Sequence, residues 1–199
     1  MQDNREEQTR LALRGIRLSL VDNTMTSLQD LTSGLQINML NAIGTGEAEA
    51  QDLVATEAEN ALEEVVSRLG ARNAERFLFS GDATATPPFQ DPSVLLDDLR
   101  AIAAGAIDEA DFAAQVDFYF DDPTGGFQTN YYQGAQTASD PESVVANQPE
   151  FRDLIQGLAI MALSHNGSGE PFARGGTPAM DQALERISRG RTNLVETQA

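Results

Sequence analysis

Residues 72–89 read Arg72-Asn73-Ala74-Glu75-Arg76-Phe77-Leu78-Phe79-Ser80-Gly81-Asp82-Ala83-Thr84-Ala85-Thr86-Pro87-Pro88-Phe89, and the chain changes character inside this stretch. Everything before it reads as long helix. Phe77-Leu78-Phe79 is a short apolar, aromatic run that fits either a strand or a last helical turn. Ser80-Gly81 and Pro87-Pro88 both oppose further helix. A helical segment ends here, and a compact segment of another kind begins.

Upstream, Glu6 to Leu40 contains no Pro. Leu18, Val21, Met25, Leu28, Leu35 and Met39 recur at heptad spacing, with Thr32 in the gap and Leu11 and Leu31 widening the stripe. At roughly 1.5 Å per residue such a helix is about 45–50 Å long. A bundle helix of an ordinary all-α protein carries the same stripe. Gly34 weakens the helix by about 1 kcal/mol without ending it. Ile43-Gly44-Thr45-Gly46 forms a tight joint, with Thr45 the expected N-cap of the next helix. Glu47, Glu49 and Asp52 then sit where the helix dipole favours acids. Ala55, Ala58, Leu62, Val65 and Leu69 form the second stripe, and the helix formers after Gly70 are expected to carry it past that residue. Two long helices with a short joint pack as an antiparallel hairpin.

Downstream, Asp91-Pro92-Ser93 starts a helix, with Pro92 in its first turn, and Val94, Leu95, Leu96, Leu99 and Ile102 form its apolar face. A second short helix begins near Asp108. Phe118-Tyr119-Phe120, the turn Asp122-Pro123-Thr124-Gly125-Gly126 and Phe127 to Tyr132 read as a β-hairpin or two short strands. Most aromatics lie between Phe77 and Tyr132, so the inserted region is expected to have a small core of its own. Gly134 to Pro149 is polar and loop-like. Asn147 or Gln148 opens a third long helix with Phe151, Leu154, Ile155 and Leu158 on one face. Thr177-Pro178 opens a fourth, with Met180, Ala183, Leu184, Ile187, Leu194 and Val195. The helical patterns begin and stop abruptly at both ends, as if the natural chain ran further.

Charge narrows the function classes. Among 199 residues there are 31 acids and 13 bases, a net charge of −18, and every base is Arg. Phosphate contacts need clustered cations, so nucleic acid is not an expected partner, nor is an anionic membrane. Between Phe77 and Glu185 there are 17 acids and three Arg (Arg100, Arg152, Arg174), while the helical arms keep the other cations. With no Cys there is no disulfide, thiolate metal site or Cys nucleophile, and with no Lys there is no phosphate-binding loop ending in Lys. No apolar run approaches the roughly 20 residues of a membrane span. His165, the single His, reads as a loop residue rather than a catalytic one. Asp97-Asp98 and Asp121-Asp122 read as a solvated acidic face rather than a hard-cation site. Asn166-Gly167-Ser168 reads as a turn rather than a glycosylated sequon. No catalytic set, cofactor site or metal site is expected, and a structural or interaction protein is favoured over an enzyme.

The chain resembles the hook–filament junction proteins of the flagellin superfamily. The resemblance rests on Arg76-Phe77-Leu78-Phe79-Ser80-Gly81 followed by Thr86-Pro87-Pro88-Phe89, similar to a family pattern of the form GRYLFSGT…TPPF, with Glu75-Arg76-Phe77 here where Gly-Arg-Tyr is usual. Tyr132-Gln133-Gly134 is similar to the turn by which the family's chain leaves its head region, and Phe120 to Phe127 resembles a short version of that region. The resemblance implies a mainly α fold: a long antiparallel helical rod from residues 1–76 and 146–199, with a small α+β head of short helices and a β-hairpin inserted at 77–145. It implies a non-enzymatic, secreted subunit of the bacterial flagellum, exported uncleaved by the type III apparatus. Its implied partners are copies of itself, neighbouring hook-associated and filament subunits, and an export chaperone. Arg76, Phe77, Phe79, Gly81, Pro87, Pro88 and Phe89 are then structural residues of the rod-to-head junction. A flagellin filament subunit and a helical interaction module outside the flagellum are the alternatives.

Overall fold

The computed structural model describes residues 2–140, 143–165 and 171–198. Six helices dominate: α1 (Gln2–Thr45), α2 (Ala48–Leu69), α3 (Pro92–Gly105), α4 (Glu109–Asp121), α5 (Pro149–Leu163) and α6 (Pro178–Gln198). Two two-residue strands, β1 (Arg72–Asn73) and β2 (Arg76–Phe77), pair antiparallel, with Arg72 opposite Phe77 and Asn73 opposite Arg76.

The 44 residues of α1 span about 66 Å. Val21, Met25, Leu28, Leu35, Met39 and Ala42 bury one stripe of it. Thr32, fully buried in the gap, donates its hydroxyl to Leu28 O at 2.8 Å, so a polar residue sits in the seam without an orphaned group. The stripe stops short of the expected length. Leu18 is 45% exposed and Leu11 54%, because α2 and α6, with 22 and 21 residues, are each about half as long as α1. Residues 6–20 are exposed apart from half-buried Arg17.

Thr45 belongs to the last turn of α1, where its hydroxyl donates to Ala42 O. Glu47, and not Thr45, is the N-cap residue of α2. The chain turns at Gly46, with φ of +69°. At its other end α2 stops at Leu69, with Gly70 N–H bonded to Val66 O at 2.9 Å. The helix does not run on as expected. Ala74 turns the chain with φ of +56°, and Leu78 N–H returns to Ala71 O. Burial of Leu78 and Phe79 in the core outweighs the high helix propensity of Ala71, Arg72, Ala74, Glu75 and Arg76.

Both α3 and α4 start where expected, and an Asp caps each. Asp91 accepts from Ser93 N at 2.9 Å ahead of Pro92, and Asp108 accepts from Asp111 N at 2.8 Å. The expected β-hairpin at 118–132 is absent. Phe118, Tyr119 and Phe120 close α4, and Phe127–Tyr131 form a single π-helical turn. The physical reason is the spacing of Phe112, Val116, Tyr119 and Phe120, which buries a helical face while Phe118 stays exposed. Asp122 folds the connection by accepting from Thr124 N and Oγ1 at 2.8 and 2.6 Å.

α5 is the central helix: every residue from Asp153 to Leu163 is buried. It packs on α2, α3 and α6, and α6 in turn packs on α1 and α4. Gly157 sets the α5–α6 spacing, since a Cβ there would overlap Ile187 and lie 2.7 Å from Ala183 O. The core is continuous from Val21 on α1 through Phe112 and Phe127 to Leu194 on α6. The inserted segment therefore shares the helices' core and does not enclose a separate one. No described helix is long and apolar enough to cross a membrane.

Candidate functional site

Leu78, Phe79 and Ser80 occupy a buried crossing where the chain leaves α2 and later returns to α5. Their backbone is paired on two sides. Val144 N–H donates to Leu78 O and Ala146 N–H to Phe79 O, both at 2.8 Å, while Ala135 N–H donates to Ser80 O at 2.9 Å. The outgoing and returning strands of chain are thus locked to each other just before α5 begins. Ser80, fully buried, donates its hydroxyl to Thr86 O at 2.6 Å and closes the loop toward Pro87. Gly81 follows with φ of +56°. A Cβ there would overlap Thr137 O and lie 2.9 Å from Ala135 O, so backbone of the returning segment occupies the space of a side chain.

The aromatic residues divide between two clusters. Phe79 packs edge-on against Phe151 of α5, centroids 5.8 Å apart. Phe89 stacks on Tyr131 at 5.5 Å and also meets Phe127 and Tyr132. Phe89 and Tyr132 form an isolated antiparallel bridge, and Gln133 N–H donates to Pro88 O at 2.8 Å. Phe77 is half-buried under the Arg72 guanidinium, 4.7 Å from the ring centre. Arg76 pairs with Asp140 at 3.1 Å, and Asp140 also lies 3.8 Å from Arg17 of α1. Of the predicted junction residues, Phe79 and Gly81 lie in the crossing, Pro88 and Phe89 in the second cluster, and Arg76 and Phe77 on the hairpin rim. Pro87 is exposed and lines a groove of about 520 Å³ between residues 87–92 and the end of α2.

Asp82 reinforces the crossing from outside. It accepts from Ser139 N at 2.7 Å and from the Thr137 and Ser139 hydroxyls, and these bonds hold its carboxyl below the usual range.

A second joint was not legible in the sequence. Arg186 of α6 reaches Asp117 and Asp121 of α4 at 2.7 and 2.5 Å and Asp153 of α5 at 3.0 Å. Arg189 adds 2.6 Å to Asp153, and Arg152 adds 3.1 Å to Asp121. The Arg186 and Asp153 side chains are 10% and 2% exposed, so these charges are largely removed from water. Gln156 and Gln182 both donate to Asp117 at 3.1 Å. Burial raises the Asp121 pKa, but the hydrogen bonds and charge of Arg186, with Arg152, outweigh it and leave the carboxyl below its ordinary value. Burial works against the Arg186 cation, and Asp121 and Asp117 nonetheless hold it firmly protonated. Asp121 stays 40% exposed, as expected of a solvated acid, and is also tied to Arg186 and Arg152. Asp122 caps its turn, Asp97 pairs with Arg100 at 2.8 Å, and Asp98 accepts from Tyr119 OH at 2.7 Å. The one sequence signal was Asp153, a charge directly before the mostly apolar run Leu154 to Leu163.

Among the described residues no group of three or more His, Cys, Asp or Glu is arranged to hold a metal ion. His165 closes the turn after α5, and Asn166-Gly167-Ser168 lies outside the described residues. Hydrogen bonds, aromatic packing and ion pairs fasten the inserted segment to the helices at two places. Comparison with protein-family models and with curated proteins gives no match for this chain.

Proposed function

We propose that this chain is a structural, non-enzymatic subunit of the bacterial flagellum that joins hook to filament. The observation carrying this reading is that both resembling passages tie the outgoing chain to the returning one, Leu78 to Gly81 at the crossing with residues 135–146 and Pro88-Phe89 against Tyr132 and Gln133, with Ser80 linking the two passages through Thr86 O. A load-bearing subunit of two parts needs such a fastening at the point where its parts join. The ion pairs of Arg186 supply a second fastening along the side of the helices. In this reading the helical body is the rod of a flagellin-like subunit, and residues 77–145 are its head. The partners are copies of the chain, neighbouring hook-associated and filament subunits, and an export chaperone, and the protein is secreted. The acidic composition keeps exported monomers apart before assembly.

The test is electron microscopy of flagella labelled with antibody against this chain. Label confined to the boundary between hook and filament supports the reading. Label along the whole filament identifies a flagellin, and absence from flagella removes the reading. A helical interaction module outside the flagellum is the second reading, favoured by the apolar Phe118 side chain that α4 leaves exposed.

A further inference from the structure

A cavity of about 540 Å³ opens between the end of α4, the π-helical turn and the segment that leads into α5. Its volume falls in the range of about 300–1,000 Å³ typical of small-molecule clefts. Of the nine described residues that line it, six carry polar side chains: Asp121, Gln128, Gln136, Asn147, Gln148 and Arg152. Four of these six are side-chain amides. Clefts for apolar ligands hold only a few polar groups, and an apolar guest here would strip water from amides without replacing its hydrogen bonds.

The two charges in the wall cancel. Arg152 donates to Asp121 at 3.1 Å and to Asn147 O at 3.2 Å, and Asp121 also takes a bond from Arg186 at 2.5 Å. Each charge already faces its opposite, so the cavity favours neither an anion nor a cation. The net charge of −18 further opposes an anion.

One group in the wall asks for a donor. Asn147 is 8% exposed, and its Nδ2 donates to Gln128 Oε1 and, at 2.8 Å, to Gln136 Oε1. Gln128 is pinned in turn, because its own Nε2 donates to Phe120 O at 3.1 Å. Reversing the Asn147 amide would set its oxygen against the Gln128 oxygen with no proton between them, so the orientation is fixed. Asn147 Oδ1 is then buried without a partner among the described residues. A buried acceptor in that state is costly unless a bound molecule supplies the proton.

We propose that this cavity binds a neutral sugar. A sugar hydroxyl both donates and accepts, which matches side-chain amides that each offer an acceptor and two donors. Gln136 is exposed, so its side chain swings aside as the ligand enters. One hydroxyl then accepts from Asn147 Nδ2 in its place, and the neighbouring hydroxyl donates to Asn147 Oδ1. Pro123, Val145 and Pro149 supply apolar surface for the C–H face of the ring. The inference stands on the cavity and its hydrogen-bonding groups and does not depend on the flagellar reading.

The test is nitrogen–proton NMR of the full chain, titrated with methyl glucoside, methyl galactoside and N-acetylglucosamine at millimolar concentration. The proposal expects at least one of them to give saturable shifts centred on residues 121–128 and 145–152. N-methylacetamide, a neutral amide without hydroxyls, should give none. Asn147→Ala should abolish the saturable shifts, while Gln136→Ala should bind the sugar as tightly as the wild type or several-fold more tightly. Asn147→Ala also unties Gln128 and Gln136, so circular dichroism checks its helices; Gln136 is exposed, and its variant decides the matter whatever becomes of the other. No saturable shift with any of the three sugars, equal binding of N-methylacetamide, or weaker sugar binding by Gln136→Ala overturns the proposal.

Discussion

At the scale of single residues, three positions separate conformational from chemical roles. Gly81 combines φ of +56° with backbone oxygens where a Cβ would stand. Gly81→Ala should therefore lower unfolding free energy by about 1–3 kcal/mol, measured as a reduced urea midpoint. Gly34→Ala should do the opposite, because nothing lies within 4 Å of its Cβ position and the gain in helix propensity is about 1 kcal/mol. Equal effects at the two sites would contradict the conformational account of Gly81. Tyr131 is fully buried in the Phe89 cluster, and among the described residues its hydroxyl has no hydrogen-bond partner. Removing an unsatisfied buried hydroxyl relieves a desolvation cost of about 1–3 kcal/mol. Tyr131→Phe should hold or raise the melting temperature, and a fall of several degrees would show that the hydroxyl has a partner in solution.

At the scale of elements, Arg186 is the rivet between α4, α5 and α6. Arg186→Met removes the cation shared by Asp117, Asp121 and buried Asp153, although Arg189 still pairs with Asp153 and Arg152 with Asp121. Breaking a buried ion pair from one side costs about 3–5 kcal/mol, and urea denaturation at neutral pH should show a loss of that order. The pH dependence has a definite sign. The Asp121 pKa is lowered in the folded chain, so its contribution is present above the unfolded carboxylate value and is lost as pH falls through the folded one. Stability should drop below about pH 4, and Arg186→Met should flatten that drop. An unchanged acid limb in the variant would show that other carboxylates govern it. The elements also mark how far sequence reading reaches. The starts of both short helices were legible, because Asp and Pro signals act within one turn of the chain. The hairpin at 118–132 was misread because Phe118-Tyr119-Phe120 has no period of its own over three residues. Only the longer spacing from Phe112 reveals the helix. The end of α2 was misread because Leu78 and Phe79 decide it from outside the helix, through a core contact with α5. The Arg186 joint was invisible for a related reason: its partners lie 33 to 69 residues away in sequence.

At the scale of the whole molecule, the inserted segment and the helices share one core, so they should unfold together. Far-ultraviolet circular dichroism and Tyr fluorescence should trace one coincident denaturant transition, and Phe79→Ser should shift both midpoints equally. Separate transitions would mean that the segment between α2 and α5 folds as an independent unit. This coupling is what a subunit that transmits load from one lattice to another requires. The central claim is that this body serves as the joint between hook and filament, and a strain deleted for this chain tests it most directly. The account predicts hooks without attached filaments, filament protein released to the medium, and recovery of swimming by the wild-type chain but weakly by Gly81→Ala; normal filaments and full motility in the deletion strain would contradict it.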